Sequence, residues 1–275
     1  MIRSKNLLPC LFVCISIGYW GGGTPILFAQ AVRQLSTSDG RTIYAKKASE
    51  QNDLPAQGPA TEPLVDDQDQ VVPLDPQKTV FLTCDRKSVL FPGQICLREG
   101  ALEFFVCAKN SKEHESIIST TAKPSIIHAG LLATGVEPGK PVRFTPEFEA
   151  ASGPKVKMTV RWQDAEGKRH EIDAKDWVQE VNTHGCLQTD WVFSGSLFQK
   201  LENGKIRYLA DVTGEIIGVS NFSGVVLDLP IQSSSDNSEL LFRACTEKIP
   251  PLETPVTVIL TPELPIKKQE TPKTH

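Results

Sequence analysis

The feature that most constrains the fold is a buried strand followed by one long helix, within residues 98–140. Leu102–Ala108 is apolar on both alternating faces apart from one glutamate, which is typical of a strand in the middle of a sheet. Pro124 suits the first position of a helix, and apolar residues recur after it at helical spacing until a glycine ends the run. The spacing therefore predicts a helix over about residues 124–134.

Short strand-like segments separated by turns fill the rest of residues 78–262. Lys155–Trp162 alternates apolar and polar residues, which is the pattern of an antiparallel strand with one face in water. Asn203-Gly204 between two such segments predicts a hairpin. Asp173–Val181 is predicted as a short helix. If Glu113–Glu115 is extended, His114 faces opposite to Glu113 and Glu115. The other predicted strands are Thr79–Thr83, Ser88–Phe91, Gln94–Leu97, Ser116–Thr120, Val142–Phe144, His170–Ile172, Trp191–Leu201, Ile206–Ala210, Glu215–Val219, Val225–Leu229, Leu240–Thr246 and Pro255–Thr261.

These segments predict a mainly β fold with a minor helical part. The expected architecture is a mostly antiparallel sandwich or a partly rolled barrel, because about ten short strands follow one another with frequent turns. The main helix (about 124–134) packs across one sheet face, and one or two short helices accompany it.

The two ends of the chain differ in composition from this segment. Residues 1–31 have the charged start, apolar core and small-x-small ending of a secretory signal, with cleavage expected after Ala31. An uncleaved anchor and lipidation at Cys14 are the alternatives. Residues 32–77 are poor in aromatic residues and predict a flexible, disordered spacer, and residues 263–275 predict a disordered tail. The sequence thus predicts a bacterial protein exported to the periplasm or the outside of the cell.

Charge and hydropathy restrict the partners. The net charge is −4 and aromatic residues make up 7% of the chain, so the concentrated basic face and the stacking platforms of a nucleic-acid-binding protein are not expected. After signal cleavage we expect no transmembrane segment. The partner is expected to be an unidentified protein or envelope component.

Seven cysteines are present, and two of them belong to the predicted signal. Disulfides persist in an exported protein, and Cys84 and Cys96 flank a predicted hairpin, so they are the predicted bridge. Cys107 lies in the central strand and is expected to be a buried small apolar residue. The odd number of remaining cysteines leaves at least one unpaired within the chain.

One cluster of ionisable residues has the composition of a ligand or metal site. Glu113, His114 and Glu115 precede a strand, and His128 lies one turn into the following helix. Two imidazoles and a carboxylate suit a divalent metal, so His114, Glu115 and His128 are the candidate metal ligands. The alternative is that the glutamates are solvated and that both histidines have ordinary hydrogen-bond partners.

Three further groups of residues could serve a function, but each also has a purely structural explanation. His184 and Cys186 lie one residue apart, as in a nucleophile with its base, or are neighbours in a polar loop. Phe193-Ser194-Gly195-Ser196 lacks the first glycine of a nucleophile elbow and predicts a tight turn. The tryptophans at positions 162, 177 and 191 are predicted as core anchors, with a carbohydrate platform as the alternative.

Several short motifs are shared with a known family. They are Gly100-x-Leu102-Glu103, Lys112–Ile117, Lys123-Pro124, Ile127-His128-Ala129, Gly135-Val136-x-Pro138-Gly139, Trp162-x-Asp164, Asp176-Trp177-Val178, Trp191-x-Phe193-x-Gly195-Ser196 and Leu227–Pro230. Over about residues 74–262 the chain resembles the YdjY-type domain, a family of exported bacterial proteins, many of them planctomycete. The resemblance implies a domain of this type and no established activity, substrate or cofactor.

Taken together, the sequence favours a non-catalytic binding or interaction module of the periplasm or cell envelope over an enzyme. The alternative is a metal-dependent enzyme, for example a hydrolase, that uses His114, Glu115 and His128. A third reading is an envelope component assembled through sheet edges. A site for binding predicts an exposed apolar patch or a formed pocket, whereas assembly predicts a long uncovered edge strand.

Overall fold

The computed structural model describes residues 62–66, 70–232 and 241–264, together with the backbone of two short strands near the N-terminus. Those strands, β1 (Arg33–Ser36) and β2 (Thr42–Ala45), pair antiparallel within a unit that spans residues 1–52. They fall within the predicted spacer. The predicted signal peptide lies outside the described residues, as does the predicted tail beyond residue 264.

The second unit, residues 53–275, is mainly β, as predicted. Its strands are β3 (Val71–Pro73), β4 (Phe81–Thr83), β5 (Val89–Ile95), β6 (Phe104–Ala108), β7 (Ser116–Thr120), β8 (Lys155–Gln163), β9 (Arg169–Asp173), β10 (Val178–Glu180), β11 (Trp191–Phe193), β12 (Phe198–Lys200), β13 (Ile206–Tyr208), β14 (Glu215–Gly218), β15 (Leu227–Asp228), β16 (Phe242–Ala244) and β17 (Pro255–Pro262). Its α-helices are α1 (Pro124–Ala133) and α2 (Leu209–Thr213), and 3-10 helices cover Glu113–Glu115 and Ala174–Trp177. Strand β3 places the start of the sheet before residue 78, the predicted start of the domain.

Eight of these strands close into a barrel. Their order is β17-β8-β11-β15-β14-β6-β7-β5, and β17 also pairs with β5, which joins the two ends of the series. Strands β4 and β3 extend the sheet outward from β5, and β9 pairs with β8. Most pairs are antiparallel, with β6–β7 and β14–β15 as parallel pairs. Of the two predicted architectures, the rolled barrel is therefore the one that forms.

The barrel interior is packed with aromatic and branched side chains. Trp177 and Trp191 are fully buried, which confirms the prediction that they anchor the core. The ring of Phe105 lies between them, with centroids 6.2 Å from Trp177 and 5.6 Å from Trp191. The indole N–H of Trp191 donates to the Gly218 carbonyl at 2.7 Å, so burial of Trp191 leaves no unpaired hydrogen-bond donor on its side chain.

Helix α1 confirms the predicted bounds and closes over one side of the sheet. Its buried residues are Pro124, Ile127, Gly130 and Leu131, three to four apart, so they share one face. A Cβ at Gly130 would lie 3.0 Å from side-chain atoms of both Leu74 and Val89, so the glycine lets the helix approach β5 closely. No helix in the described part of the chain is long and apolar enough to cross a membrane.

Several local predictions were wrong. Trp191–Leu201 is two strands, β11 and β12, because Gly195 and Ser196 between them have positive φ, and the predicted strand Ile206–Ala210 ends at Tyr208, directly before α2. One continuous strand, β5, covers the two predicted strands Ser88–Phe91 and Gln94–Leu97. The carbonyl of Pro92 accepts a hydrogen bond from the hydroxyl of Thr120 (2.6 Å), on the side of β5 away from β17. A residue's N–H points to the same side as its carbonyl, so the N–H that proline lacks would not have bonded to β17. Val142–Phe144 forms only an isolated bridge between Arg143 and Glu149. The predicted helix at Asp173–Val181 is a short 3-10 turn that runs directly into β10.

Candidate functional site

His128 is held inside a hydrogen-bonded network that joins three elements. It lies on α1, and its Nδ1 is 2.8 Å from the hydroxyl of Tyr208, at the end of β13. The same hydroxyl donates to the carbonyl of Gly195 at 2.9 Å. The imidazole also packs edge-on against Phe193, with ring centroids 4.9 Å apart. His128 thus connects the helix to the turn after β11 and to the base of the β12–β13 hairpin.

The network also fixes the protonation state of His128. The tyrosine has one proton and gives it to Gly195, so Nδ1 of His128 must carry the hydrogen of the second bond. Burial lowers the pKa of His128, which keeps the ring neutral at pH 7. Nε2 is then the unprotonated nitrogen.

The segment Phe193-Ser194-Gly195-Ser196 is a turn, and its geometry explains its sequence. Gly195 has φ +91°, and a Cβ there would lie 2.6 Å from Cβ of Pro138, so only glycine fits. Ser196 adopts φ +59°, and its hydroxyl donates to the carbonyl of Gly224. The partner of His128 is therefore Tyr208, and the serine hydroxyl serves to hold the turn.

The three residues Glu113–Glu115 form a 3-10 helix and are not extended. Glu113 accepts a hydrogen bond from the backbone N–H of Asn110 at 3.0 Å. Glu115 pairs with Lys112 at 2.9 Å, and His114 lies 3.6 Å from the other oxygen of Glu115. The side chain of His114 is 74% exposed. A polar turn that caps the entry to β7 explains this cluster.

The structure does not bring the three candidate metal ligands together. His114 and Glu115 are neighbours at the start of β7, whereas His128 follows the other end of that strand and is bonded to Tyr208. Across residues 62–66, 70–232 and 241–264, no group of three His, Cys, Asp or Glu side chains is placed to share a metal ion.

The cysteine side chains have other neighbours than predicted. The thiol of Cys186 lies 3.1 Å from the ammonium of Lys248, while His184 is exposed in its loop at φ +56°. Cys84 and Cys96 are both free, and the structure does not bring the predicted pair together. Because β5 is one unbroken strand, Cys84 sits beside its first residue and Cys96 follows its last, beyond the reach of a disulfide.

An open groove of about 580 Å³ lies beside the turn that contains Ser196. Its lining combines residues 140–145 and Glu149 with Leu197 and Ser223. The segment that carries the groove is fixed to the barrel, because Val142 packs in a small cluster with Val192 of β11. Phe144 is 54% exposed, and Leu197 is also exposed. Two cationic side chains line the groove, and one of them, Arg143, is paired with Glu149.

Comparison with known families assigns the domain. The profile of the YdjY domain matches residues 80–261, which is most of the chain. The chain belongs to the YdjY domain family. Searches of the curated proteins and of the solved structures found no significant match.

The YdjY domain presents a second exposed apolar surface next to the groove. Strands β12 and β13 form a hairpin that pairs with no other strand of the described sheet. Phe198 and Ile206 are each 69% exposed on it. Leu197 lines the groove and directly precedes Phe198, so the groove and the hairpin adjoin. Sequence reasoning missed the groove because its residues come from segments about fifty positions apart. It missed the hairpin surface because alternation along the two strands does not show that one face stays uncovered.

Two buried carboxyl groups of the YdjY domain were also missed. Burial, with repulsion from Glu115, raises the pKa of Glu103 to about 7. Asp228 is fully buried in β15, and burial raises the pKa of its carboxyl group to about 8. The sequence signal was present at Glu103, the one charged residue in an otherwise apolar strand.

Proposed function

We propose that this YdjY domain is a non-catalytic binding module that acts outside the cytoplasm, in the periplasm or at the cell envelope. The signal-like composition of residues 1–31 supports export. The groove and the adjoining β12–β13 hairpin are the proposed binding surface.

The observation that carries the proposal is the exposure of large apolar side chains around a formed groove. Phe144, Phe198 and Ile206 are each more than half exposed, and Leu197 connects them. Exposed apolar residues that adjoin one another cost solvation free energy, and on monomeric proteins such patches mark contact sites. A ligand that covers them recovers that free energy.

The same observation favours binding over catalysis. The groups from which a reaction would be built are engaged in holding the fold: His128 bonds Tyr208, and the hydroxyl of Ser196 bonds a carbonyl. Phe144 and Leu197, in contrast, face solvent. The surface that is free to act is therefore apolar, with Lys140 as an additional cation at its edge.

The test uses 8-anilinonaphthalene-1-sulfonate, a small apolar anion whose fluorescence rises in apolar surroundings. The protein that begins at Val32 should enhance its fluorescence, and Phe144→Ser with Leu197→Ser should remove most of the enhancement without a large change in Tm. Leu252→Ser is the matched control, because Leu252 is 56% exposed and does not line the groove. Equal fluorescence from the groove variant and the wild type would contradict the proposal.

A further inference from the structure

The β12–β13 hairpin arranges apolar and basic side chains on one exposed face. The register pairs Phe198 with Tyr208 and Lys200 with Ile206. Side chains of directly opposed residues, and of residues two apart on a strand, lie on the same face of a hairpin. Phe198, Lys200 and Ile206 therefore share a face, and all three are exposed.

The charge of the hairpin is opposite in sign to that of the whole chain. Lys200, Lys205 and Arg207 are exposed, and Glu202 is the opposing carboxylate, so the hairpin carries a net charge of +2 while the chain carries −4. Within the described part of the chain no ion pair involves any of the three cations. Unpaired cations beside exposed apolar groups favour a partner that is both anionic and apolar.

The base of the hairpin is fixed, although its outer part is exposed. The hydroxyl of Tyr208 donates to Gly195, and the N–H of Leu209 donates to the carbonyl of Leu197 at 2.8 Å. Beyond this anchor the strands contact each other and end in the polar turn around Asn203. The apolar face is thus presented in a defined orientation, which reduces the entropy lost on binding.

We propose that this hairpin binds the surface of an anionic phospholipid membrane. Phe198 and Ile206 enter the interface between headgroups and acyl chains, and Lys200, Lys205 and Arg207 contact the phosphates. Apolar insertion combined with attraction between basic residues and anionic lipids is the general basis of peripheral membrane binding. The inference rests on the proposed binding function and names its partner.

The distribution of the cations favours a membrane over an acidic peptide. Lys200 is on the apolar face, Lys205 lies at the turn, and Arg207 points to the opposite face, because it is paired with Gln199. The three charges therefore lie on different sides of the hairpin instead of converging on one point. A lipid surface supplies phosphates to cations on several sides of the hairpin, whereas an extended acidic peptide bound along one strand edge or one face would contact only some of them.

The experiment measures sedimentation with vesicles. The protein that begins at Val32 is mixed with vesicles of phosphatidylethanolamine and phosphatidylglycerol, and separately with neutral phosphatidylcholine vesicles. We expect binding to the anionic vesicles only, and a loss of binding as salt is raised, because salt screens exposed charges. Lys200→Glu with Lys205→Glu should lower the partition coefficient by at least about fivefold per residue. Phe198→Ser with Ile206→Ser should lower it by at least about a hundredfold, since each side chain that leaves water contributes about 1.5–3 kcal/mol.

Lys157→Glu with Leu252→Ser is the control variant, since it changes one exposed cation and one exposed apolar residue away from the hairpin and should bind like the wild type. Far-UV circular dichroism and Tm check the fold of each variant, and the salt titration of the wild type needs no variant at all. Binding that is equal for both kinds of vesicle, or equal for control and hairpin variants, would overturn the inference.

Failure of this inference is separable from failure of the proposed function. If the groove binds the fluorescent anion and no vesicle sediments the protein, the membrane is not the partner and the binding function stands. If an acidic peptide binds the wild type but not the Lys200→Glu, Lys205→Glu variant, and vesicles bind neither, the hairpin serves a protein and the membrane proposal is wrong.

Discussion

The barrel interior and the β12–β13 hairpin use the same kinds of side chain with opposite results. Phe105 lies between two tryptophans with no exposed surface, whereas Phe198 is 69% exposed on a pair of strands outside the barrel. Inside, an apolar group contributes to the stability of the fold. Outside, the same group adds little to stability, so its presence is better explained by a contact with another molecule. The difference separates residues that build this domain from residues that are free to act.

The largest expected effect comes from the same substitution at the two phenylalanines. Phe105→Ala should lower the free energy of unfolding by about 3–5 kcal/mol, since it removes a fully buried ring and leaves a cavity. Phe198→Ala should change it by less than about 0.5 kcal/mol. Urea titration followed by circular dichroism measures both. A similar loss from both variants would mean that the hairpin is part of the core.

The next effect compares a carboxyl group inside the barrel, Asp228, with one on the exposed hairpin, Glu202. Burial raises the pKa of Asp228 from 3.8 to about 8, so the folded state favours the protonated form. Stability is therefore lost as pH rises from the unfolded pKa towards the folded one, and Asp228→Asn should be free of that loss. Between pH 5 and pH 9 the variant should gain on the wild type by about 4 kcal/mol.

Thermal unfolding across this pH range provides the measurement, and Glu202→Gln is the control, because Glu202 is exposed on the hairpin. The control should follow the pH dependence of the wild type. A difference between Asp228→Asn and wild type that does not grow with pH would exclude a neutral buried acid.

The two histidines of the predicted metal site provide a smaller effect. His128→Gln should cost about 1–2 kcal/mol, because it disturbs the bond to Tyr208, while His114→Gln should cost almost nothing. Burial lowers the pKa of His128, so its contribution is present above the unfolded pKa of about 6.5 and is lost as pH falls below it. His128→Gln should therefore show a smaller loss of stability on acidification than His114→Gln.

The smallest effect on stability belongs to the cysteines. Cys84 is exposed and Cys107 fully buried, so a maleimide reagent should label Cys84 in the native protein and Cys107 only after unfolding. Cys84→Ser should shift the free energy of unfolding by less than about 0.5 kcal/mol. Mass spectrometry of peptides from native and unfolded protein identifies the labelled residues. Recovery of Cys84 and Cys96 as one linked peptide would restore the predicted disulfide.

Elements with a clear local pattern were predictable from the sequence. Helix α1 has its proline, its apolar spacing and its glycine in consecutive positions, and β8 alternates without interruption. The sequence predicted a break in β5 at Pro92, but the strand is continuous. Whether a proline interrupts a strand depends on which neighbouring strand its backbone faces. That neighbour, Thr120, lies on another strand and leaves no local signal.

The site was less predictable for a related reason. His128 was recognised as a residue of interest, yet its partner, Tyr208, is 80 positions away, on a hairpin outside the barrel that is anchored at Gly195. The groove likewise combines Phe144 with Leu197 across a long stretch of chain. The exposed hairpin was visible as an Asn-Gly turn, but the alternation of its residues did not reveal that one face would stay uncovered.

The double pairing of β17 has a consequence for the order in which the domain is assembled. This strand comes last in the barrel along the chain, and it lies between β5 and β8, bonded to both. During synthesis from the N-terminus, β5 and β8 are made before β17. The backbone groups on their facing edges therefore stay unpaired until residues 255–262 have been synthesised. A chain that stops before Pro255 retains two open edges, which invite pairing with other copies. The last strand of the barrel thus covers the two edges that the earlier strands leave open between β5 and β8.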